Sequence, residues 1–160
     1  MSEALAILQG RTFARATTAT ALAYPPERRL TAAQLTGYLD RRAFAVVSST
    51  RPDGRPHAAI SSYARRDATF WLPAVTGSVR ERNVRGQPWL TLTITHGDRD
   101  EHVVVIVEGP AAVVRPADVP AGVRSQAGGE WVGAWLRMQA ECLLSYASQD
   151  AFPGPHSVGA

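Results

Sequence analysis

The segment from Trp89 to Thr95 constrains the fold more than any other part of the sequence. Leu90, Leu92 and Ile94 alternate with three threonines, a period of two that places apolar side chains on one face of a strand and hydroxyls on the other. A strand with one buried and one exposed face is typical of antiparallel sheets. The sequence therefore predicts a sheet that covers a core on one side.

Further short runs rich in strand-forming residues lie between turn signals. Arg51-Pro52-Asp53-Gly54 is the clearest turn, because proline presets one dihedral and glycine accepts a positive one. Gly109-Pro110 predicts a bulge or kink inside a longer strand. Together the runs predict six to seven antiparallel strands in a small barrel. They cover residues 44–50, 56–63, 69–72, 89–95, 102–108, 111–115 and 140–147, with turns at 65–67 and 96–100.

Three helices are predicted. Thr31 and Gln34 have the spacing of a capping box, which predicts a helix that ends near residues 40–42. Ser78 as N-cap and Gly86 as a stop predict a short helix between strands. The third is predicted over residues 129–139, with an apolar side formed by Trp131, Trp135, Leu136 and Met138.

The 160 residues are enough for one domain with a core of its own. We expect an N-terminal arm over residues 1–29, a barrel over 30–148 and a flexible tail rich in proline and glycine over 149–160. Cys142 is the single cysteine, which excludes an intramolecular disulfide and a cysteine-based metal cluster. His96 and His102 flank an acidic loop, which we interpret as a polar hairpin rather than a metal site.

Charge and hydropathy narrow the function classes. The net charge of +3 is spread along the chain, whereas a nucleic-acid interface requires a clustered basic face. No apolar run approaches the roughly 20 residues that cross a bilayer, and the N-terminus lacks the basic start of a secretory signal. We therefore expect a cytoplasmic protein that binds neither nucleic acid nor membrane.

The predicted helix after Ser78 has the chemistry of an anion site. Its first turn offers unpaired N–H groups and the positive end of the helix dipole. Hydroxyls precede it at Thr76 and Ser78, and arginines lie within it. Every basic side chain in the sequence is arginine, whose planar fork binds phosphate or carboxylate through two donors. A solvated helix with its arginines in water is the alternative.

The order of these parts resembles the pyridoxamine-phosphate-oxidase-like family. These are mostly β, split β-barrel proteins with a few short helices, and they bind FMN or the deazaflavin coenzyme F420. The resemblance covers roughly residues 31–115, and its matching segments are 48–50, 51–57, 77–84, 87–92 and 107–111.

The resemblance implies a set of cofactor-binding residues. In the family a basic residue of the short helix contacts the cofactor phosphate, and Arg80 matches it. Val79 departs from a neighbouring position that is basic in the family. Residues that match positions near the phosphate or the ring are His57, Ala59, Ser61, Ser62, Val75, Thr76, Ser78 and Asn83.

The resemblance also implies a homodimer, because a half-open barrel leaves an apolar flank and the partner completes the cofactor site. We expect a flavin-type oxidoreductase that uses coenzyme F420 or FMN to pass a hydride to or from a small organic substrate. No side chain is identified as a catalytic acid or base. The alternatives are a non-catalytic cofactor carrier, a sensor, a haem-binding protein on the same fold, and a barrel without a working site.

Overall fold

The computed structural model describes residues 2–149 and 151, and in that part of the chain eight strands form a mostly antiparallel sheet. The strands are β1 Phe44–Thr50, β2 Pro56–Ser62, β3 Ala64–Arg66, β4 Thr69–Ala74, β5 Trp89–Asp98, β6 Glu101–Val114, β7 Ala134–Gln139 and β8 Cys142–Ala147. The helices are α1 Ser2–Ala14, α2 Thr18–Ala23, α3 Ala32–Arg41, α4 Val79–Gly86 and α5 Ala121–Ala127, with 3-10 turns at Pro26–Arg28 and Pro116–Asp118.

Strand β6 holds the two halves of the sheet together. It pairs with β5 as far as Pro110 and with β7 from Ala111 onward, while β8 pairs with its first half. The strand therefore changes partner at the predicted kink. At Gly109 the backbone passes so close to β7 that a Cβ there would lie 1.9 Å from the Gln139 carbonyl oxygen. Only glycine permits this contact.

The order of the remaining strands makes an open barrel. The sheet runs β2-β1-β5-β6-β7-β4-β3, so β2 and β3 are its two ends. They are consecutive along the chain with Tyr63 between them, and within the described residues no ladder joins them. The predicted split β-barrel with a few short helices is confirmed, with eight strands instead of six to seven.

The predicted alternation in β5 is confirmed by the core. Leu90, Leu92 and Ile94 are fully or almost fully buried. They pack with the inward residues of the neighbouring strands and with α3, whose capping box at Thr31 and Gln34 forms as predicted.

The helix predicted over residues 129–139 is wrong. Residues 134–139 form β7, and the nearby helix is α5, which the sequence did not predict. Strand β7 lies between β4 and β6, with Leu136 and Met138 in the main core and Trp135 in a second apolar cluster against α5. Trp135 is buried on the face of β7 opposite to Leu136 and Met138, and this break in the alternation makes the apolar residues imitate helical spacing.

Two predicted turns are also misplaced. Strand β5 continues to Asp98, so the hairpin turns at Arg99 and Asp100 rather than over 96–100. Residues 64–66 form β3, and the chain turns at Asp67, whose φ is +51°. In both places polar side chains suit an exposed strand end as well as a turn.

The N-terminal residues cover the free edge of β8. Leu5 of α1 is fully buried in the core, and the Leu143 N–H of β8 donates to the Thr12 hydroxyl at 2.9 Å. A buried network joins Gln9 of α1 to Ser145 of β8 and to the Leu30 backbone. The C-terminal tail predicted over 149–160 lies, at residues 150 and 152–160, outside the described residues. None of the helices in the described ranges is long and apolar enough to span a bilayer.

The Gly109 contact generates a stability prediction. Gly109→Ala must push β6 away from β7, so we expect the free energy of unfolding to fall by about 2–3 kcal/mol, measured by urea denaturation. Gly10→Ala is the matched control, because nothing lies within 4 Å of the added carbon in α1. It should stabilise the protein by roughly 0.5–1 kcal/mol. Equal effects of the two variants would contradict the role of Gly109.

Candidate functional site

Helix α4 begins where the chain leaves β4, and its first turn is tightly capped. The Glu81 N–H donates to the Ser78 hydroxyl at 3.4 Å, and the Gly77 N–H donates to the Glu81 carboxylate at 2.5 Å. Gly77 has a φ of +76°, a conformation that suits glycine. The first-turn N–H groups of Val79 and Arg80 have no carbonyl partner within the helix.

Glu81 is a buried carboxylate at this helix end. Its side chain is 7% exposed and pairs with Arg85 at 2.9 Å. Burial alone would raise its pKa, but the hydrogen bonds from Arg85 and from the Gly77 N–H outweigh that effect and hold the pKa below its ordinary value. Glu81 therefore already occupies part of the N-terminal surface that the sequence predicts as a phosphate cradle.

Arg80 points to the other side of the helix. Its Nη2 donates to the Pro73 carbonyl of β4 at 2.5 Å, and its Nε is buried with no hydrogen-bond partner. Burial lowers the pKa of its guanidinium. Across the described part of the chain, no carboxylate forms an ion pair with it. Arg80 is thus a half-buried positive charge without a counterion.

Asn83 joins α4 to the first hairpin. Its side-chain amide donates to the Ser49 hydroxyl of β1 at 3.0 Å, and both residues are buried. Ser49 lies opposite His57 of β2 in the ladder, so the His57 side chain is on the same sheet face as Ser49. The Nδ1 of His57 is buried, and no described residue forms a hydrogen bond with it.

A cavity of about 350 Å³ separates α4 from the β1–β2 turn. Val79 and Asn83 of the predicted set line it, with three arginines and one aspartate around them: Arg51, Arg55, Arg82 and Asp53. Arg55 pairs with Asp53 at 2.7 Å, whereas Arg51 and Arg82 form no ion pair within residues 2–149 and 151. The cavity carries an excess of positive charge.

The other predicted residues lie on β2 and after β4. Ala59 and Ser61 share the inner face of β2 with His57. The Ser62 hydroxyl donates to the Ala127 carbonyl at the end of α5. Val75 is 53% exposed between β4 and α4, next to the exposed Thr76.

The structure thus divides the predicted set into two groups on different sides of α4. Val79 and Asn83 line the arginine cavity, while Arg80 turns toward β4. Arg51, Arg55 and Arg82 are absent from the sequence-based set. Arg51 and Arg55 flank the predicted turn, and Arg82 is one helical turn from Val79, so both the turn and the helical period could have identified them.

A larger cavity of about 630 Å³ lies elsewhere, between α1, α2 and β8. None of the predicted residues lines it. Its walls carry both signs of charge, Arg11 and Arg15 against Glu108 and Glu141, so they favour no particular ligand charge. Its size alone does not make it the functional site.

Comparison with known proteins supports the fold independently. The family model described as pyridoxamine 5'-phosphate oxidase matches residues 31–153. No curated protein matches the sequence.

Solved structures with the same fold are distant in sequence. The conserved hypothetical protein Rv2991 from Mycobacterium tuberculosis is 21% identical, with a TM-score of 0.68 over 86% of this chain and 97% of that chain. A FAD-binding protein from Mesorhizobium loti is 19% identical, with a TM-score of 0.60 over 74% of this chain and 93% of that one. HutZ, the haem storage protein from Vibrio cholerae, is 10% identical, with a TM-score of 0.59 over 72% and 95%.

The buried Glu81 carboxylate generates a pH-dependent prediction. Glu81→Gln removes the ion pair with Arg85, so the free energy of unfolding at pH 7 should fall by about 1–2 kcal/mol. Since folding lowers the pKa of Glu81, its stabilisation is present above the unfolded pKa of about 4.3 and is lost as the pH falls through the lower folded pKa.

The check is chemical denaturation of both proteins between pH 7 and pH 3, where the difference should shrink below about pH 4. Glu27→Gln, at an exposed position, is the control and should change stability little at any pH. A Glu81→Gln effect that persists at pH 3 would contradict the assignment.

Proposed function

The chain belongs to the pyridoxamine 5'-phosphate oxidase family, and on that premise we propose that it binds a flavin-type cofactor, coenzyme F420 or FMN, between two copies of itself. The bound ring supplies the hydride chemistry, and the protein is proposed to pass that hydride to or from a small organic substrate. The protein's residues supply the position, the anion contacts and a pocket of low water content.

The observation that carries this proposal is the unpaired charge of Arg80. A buried charge is costly unless an opposite charge and hydrogen bonds compensate it. Arg80 has one carbonyl acceptor and a buried Nε without a partner. A cofactor phosphate would provide the missing negative charge and would accept from the outer nitrogens of the guanidinium group.

The arginine cavity supports a ligand with more than one anionic group. Arg51 and Arg82 line it and pair with no carboxylate in the described part of the chain, and it lies on a different side of α4 from the Arg80 contact. A cofactor with a further anionic group beyond its first phosphate would neutralise both Arg80 and the arginine cavity. Coenzyme F420 has the longer anionic tail of the two cofactors, so the cavity favours F420 over FMN.

The inner face of β2 suits the ring of the cofactor. Ala59 and Ser61 are small side chains on an edge strand that is covered by no further strand in the described structure. A rotation of the His57 ring would expose its buried Nδ1 for a hydrogen bond to a ring nitrogen or carbonyl. No general acid is required, because the cofactor performs the redox step.

A broad apolar row supports the homodimer. On the outer face of the sheet, one cross-strand row contains four apolar side chains and a threonine, and it crosses β2, β1, β5, β6 and β8. The row is Ile60, Val46, Thr93, Ile106 and Leu144. Ile60 is 66% exposed, and Phe44 beside this row is 63% exposed. Neighbouring exposed apolar side chains mark interaction surfaces, and a second copy would cover Ile60 and Phe44.

A second candidate function is haem binding without catalysis. Its support is His57, a half-buried imidazole on the edge strand β2, because histidine is a common axial ligand of haem iron. The name of the Vibrio cholerae protein with the same fold says that it stores haem. A third candidate is a carrier or sensor that binds a flavin without catalysing a reaction.

Titration with FMN, coenzyme F420 and haem, followed by absorbance and fluorescence, tests these functions. We expect F420 or FMN to bind with a Kd of about 1 μM or lower. Arg80→Ala should raise this Kd roughly ten- to a hundredfold, because it removes charge-assisted hydrogen bonds to phosphate. Reduced cofactor should then react with an acceptor faster on the protein than in solution.

Two controls make the titration decisive. Arg41→Ala removes an exposed arginine from α3 and should leave the Kd unchanged. His57→Ala should abolish a haem absorbance band if haem is the ligand, but weaken a flavin only modestly. Failure of both F420 and FMN to bind would overturn the redox proposal.

The outer-face row yields a prediction about assembly. Ile60→Glu places a charge in the proposed dimer interface, so light scattering should show a monomer where the wild type is a dimer. The same variant should bind cofactor more weakly if the partner completes the site. Leu22→Glu is the control, because Leu22 is 76% exposed on α2 and is not a member of the row. A monomeric wild type would refute the interface.

A further inference from the structure

The loop between α5 and β7, residues 128–133, runs from the end of β2 to the residues that follow β4. At its start, the Ala127 carbonyl accepts the Ser62 hydroxyl of β2 at 3.2 Å. At its end, the Gly133 N–H donates to the Ala74 carbonyl of β4 at 3.1 Å. The first anchor is Ser62 of the predicted cofactor set, and the second anchor, Ala74, directly precedes Val75 of that set. The loop therefore bridges β2 and the entrance to α4.

Three glycines fix the path of this loop. A Cβ at Gly133 would lie 2.0 Å from the Thr76 hydroxyl, and one at Gly128 would lie 2.6 Å from the Arg124 carbonyl oxygen. A Cβ at Gly129 would lie 2.8 Å from the indole nitrogen of Trp131. The loop thus packs directly on Thr76, and the Trp131 indole lies against its own backbone.

Trp131 is at the tip of this loop and is largely exposed. The Val132 N–H donates to the Gly129 carbonyl at 3.1 Å, which closes a turn with Trp131 at its third position. The side chain is 54% exposed, whereas Trp135 in the following strand is 1% exposed. Val75, which follows the Ala74 anchor, is 53% exposed. Two large apolar side chains are thus left in water beside the proposed site.

We propose that the Trp131 indole forms a contact surface for the planar ring of the bound cofactor. The inference rests on the proposed function. An indole gains most from a flat aromatic partner, through buried area and through ring stacking. The contacts of Gly133 with Ala74 and Thr76 hold the end of the loop beside Val75 and Thr76 of the predicted cofactor set, and the glycine contacts fix the path of the loop before the ligand arrives. It is a binding residue that positions the ring, and no proton transfer is assigned to it.

The test uses the full chain with FMN and coenzyme F420 as probes. We expect Trp131→Leu to raise the Kd of the bound cofactor roughly tenfold, with a smaller rise for Trp131→Phe, which keeps an aromatic ring. Contact with an indole quenches flavin emission, so bound FMN should be brighter in both Trp131 variants than in the wild type. Trp89→Phe is the matched control, because Trp89 is 42% exposed on β5, and it should change neither quantity.

The outcomes separate this inference from the proposed function. Wild-type protein that binds neither probe would overturn the proposed function and the role of Trp131 together. Binding that depends on Arg80 but is unchanged in affinity and emission by Trp131→Leu would overturn the role of Trp131 alone. Light scattering on Trp131→Leu completes the test: a dimer that has lost affinity supports a ring contact, and a monomer shows that Trp131 acts through the partner subunit and overturns it.

Discussion

The close contact between β6 and β7 at Gly109 determines the rest of the architecture. Because no side chain separates the Gly109 backbone from the Gln139 carbonyl, β6 can leave β5 and pair with β7 within two residues. The neighbouring chain bends at the same level, where Ala140 and Glu141 separate β7 from β8. The Glu141 N–H keeps the ladder closed there through a bond to the Glu108 carbonyl. These two bends turn a sheet into a barrel that brings β4 and α4 toward β2.

The site that this arrangement produces is electrostatically incomplete. In the first turn of α4, the Glu81 carboxylate has two donors and a lowered pKa, so the capped end is satisfied without a ligand. Arg80, one residue earlier, has the opposite character, because it is half-buried and pairs with no carboxylate among the described residues. If the proposed anion binds, this contrast puts it on the β4 side of the helix. Because the helix end is already capped, guanidinium groups would be the main donors to that anion.

The sequence predicts well what depends on local chemistry. The alternation in β5, the Thr31 capping box and the Ser78 cap all depend on neighbouring residues, and they are confirmed. The prediction from sequence is wrong at β7, because its apolar residues pack into two different clusters. Leu136 and Met138 belong to the main core and Trp135 to the second cluster, and only the tertiary structure shows this division. It also could not divide Val79 and Arg80 between two sides of α4. That division depends on where β4 and the first hairpin lie around the helix.

The exposed apolar side chains and the unpartnered histidine of the single chain lie on the adjacent strands β1 and β2. Ile60 and Phe44 on β2 and β1 are exposed on the outer face, and His57 on the inner face of β2 has a buried nitrogen without a partner. In a domain that functions alone, exposed apolar side chains and an unpaired buried nitrogen would lower the free energy of unfolding without any compensating interaction. If a second copy covers the outer face and a ring fills the inner one, both kinds of group are satisfied at once. Assembly and cofactor binding would then stabilise each other, since each adds free energy only to the folded state.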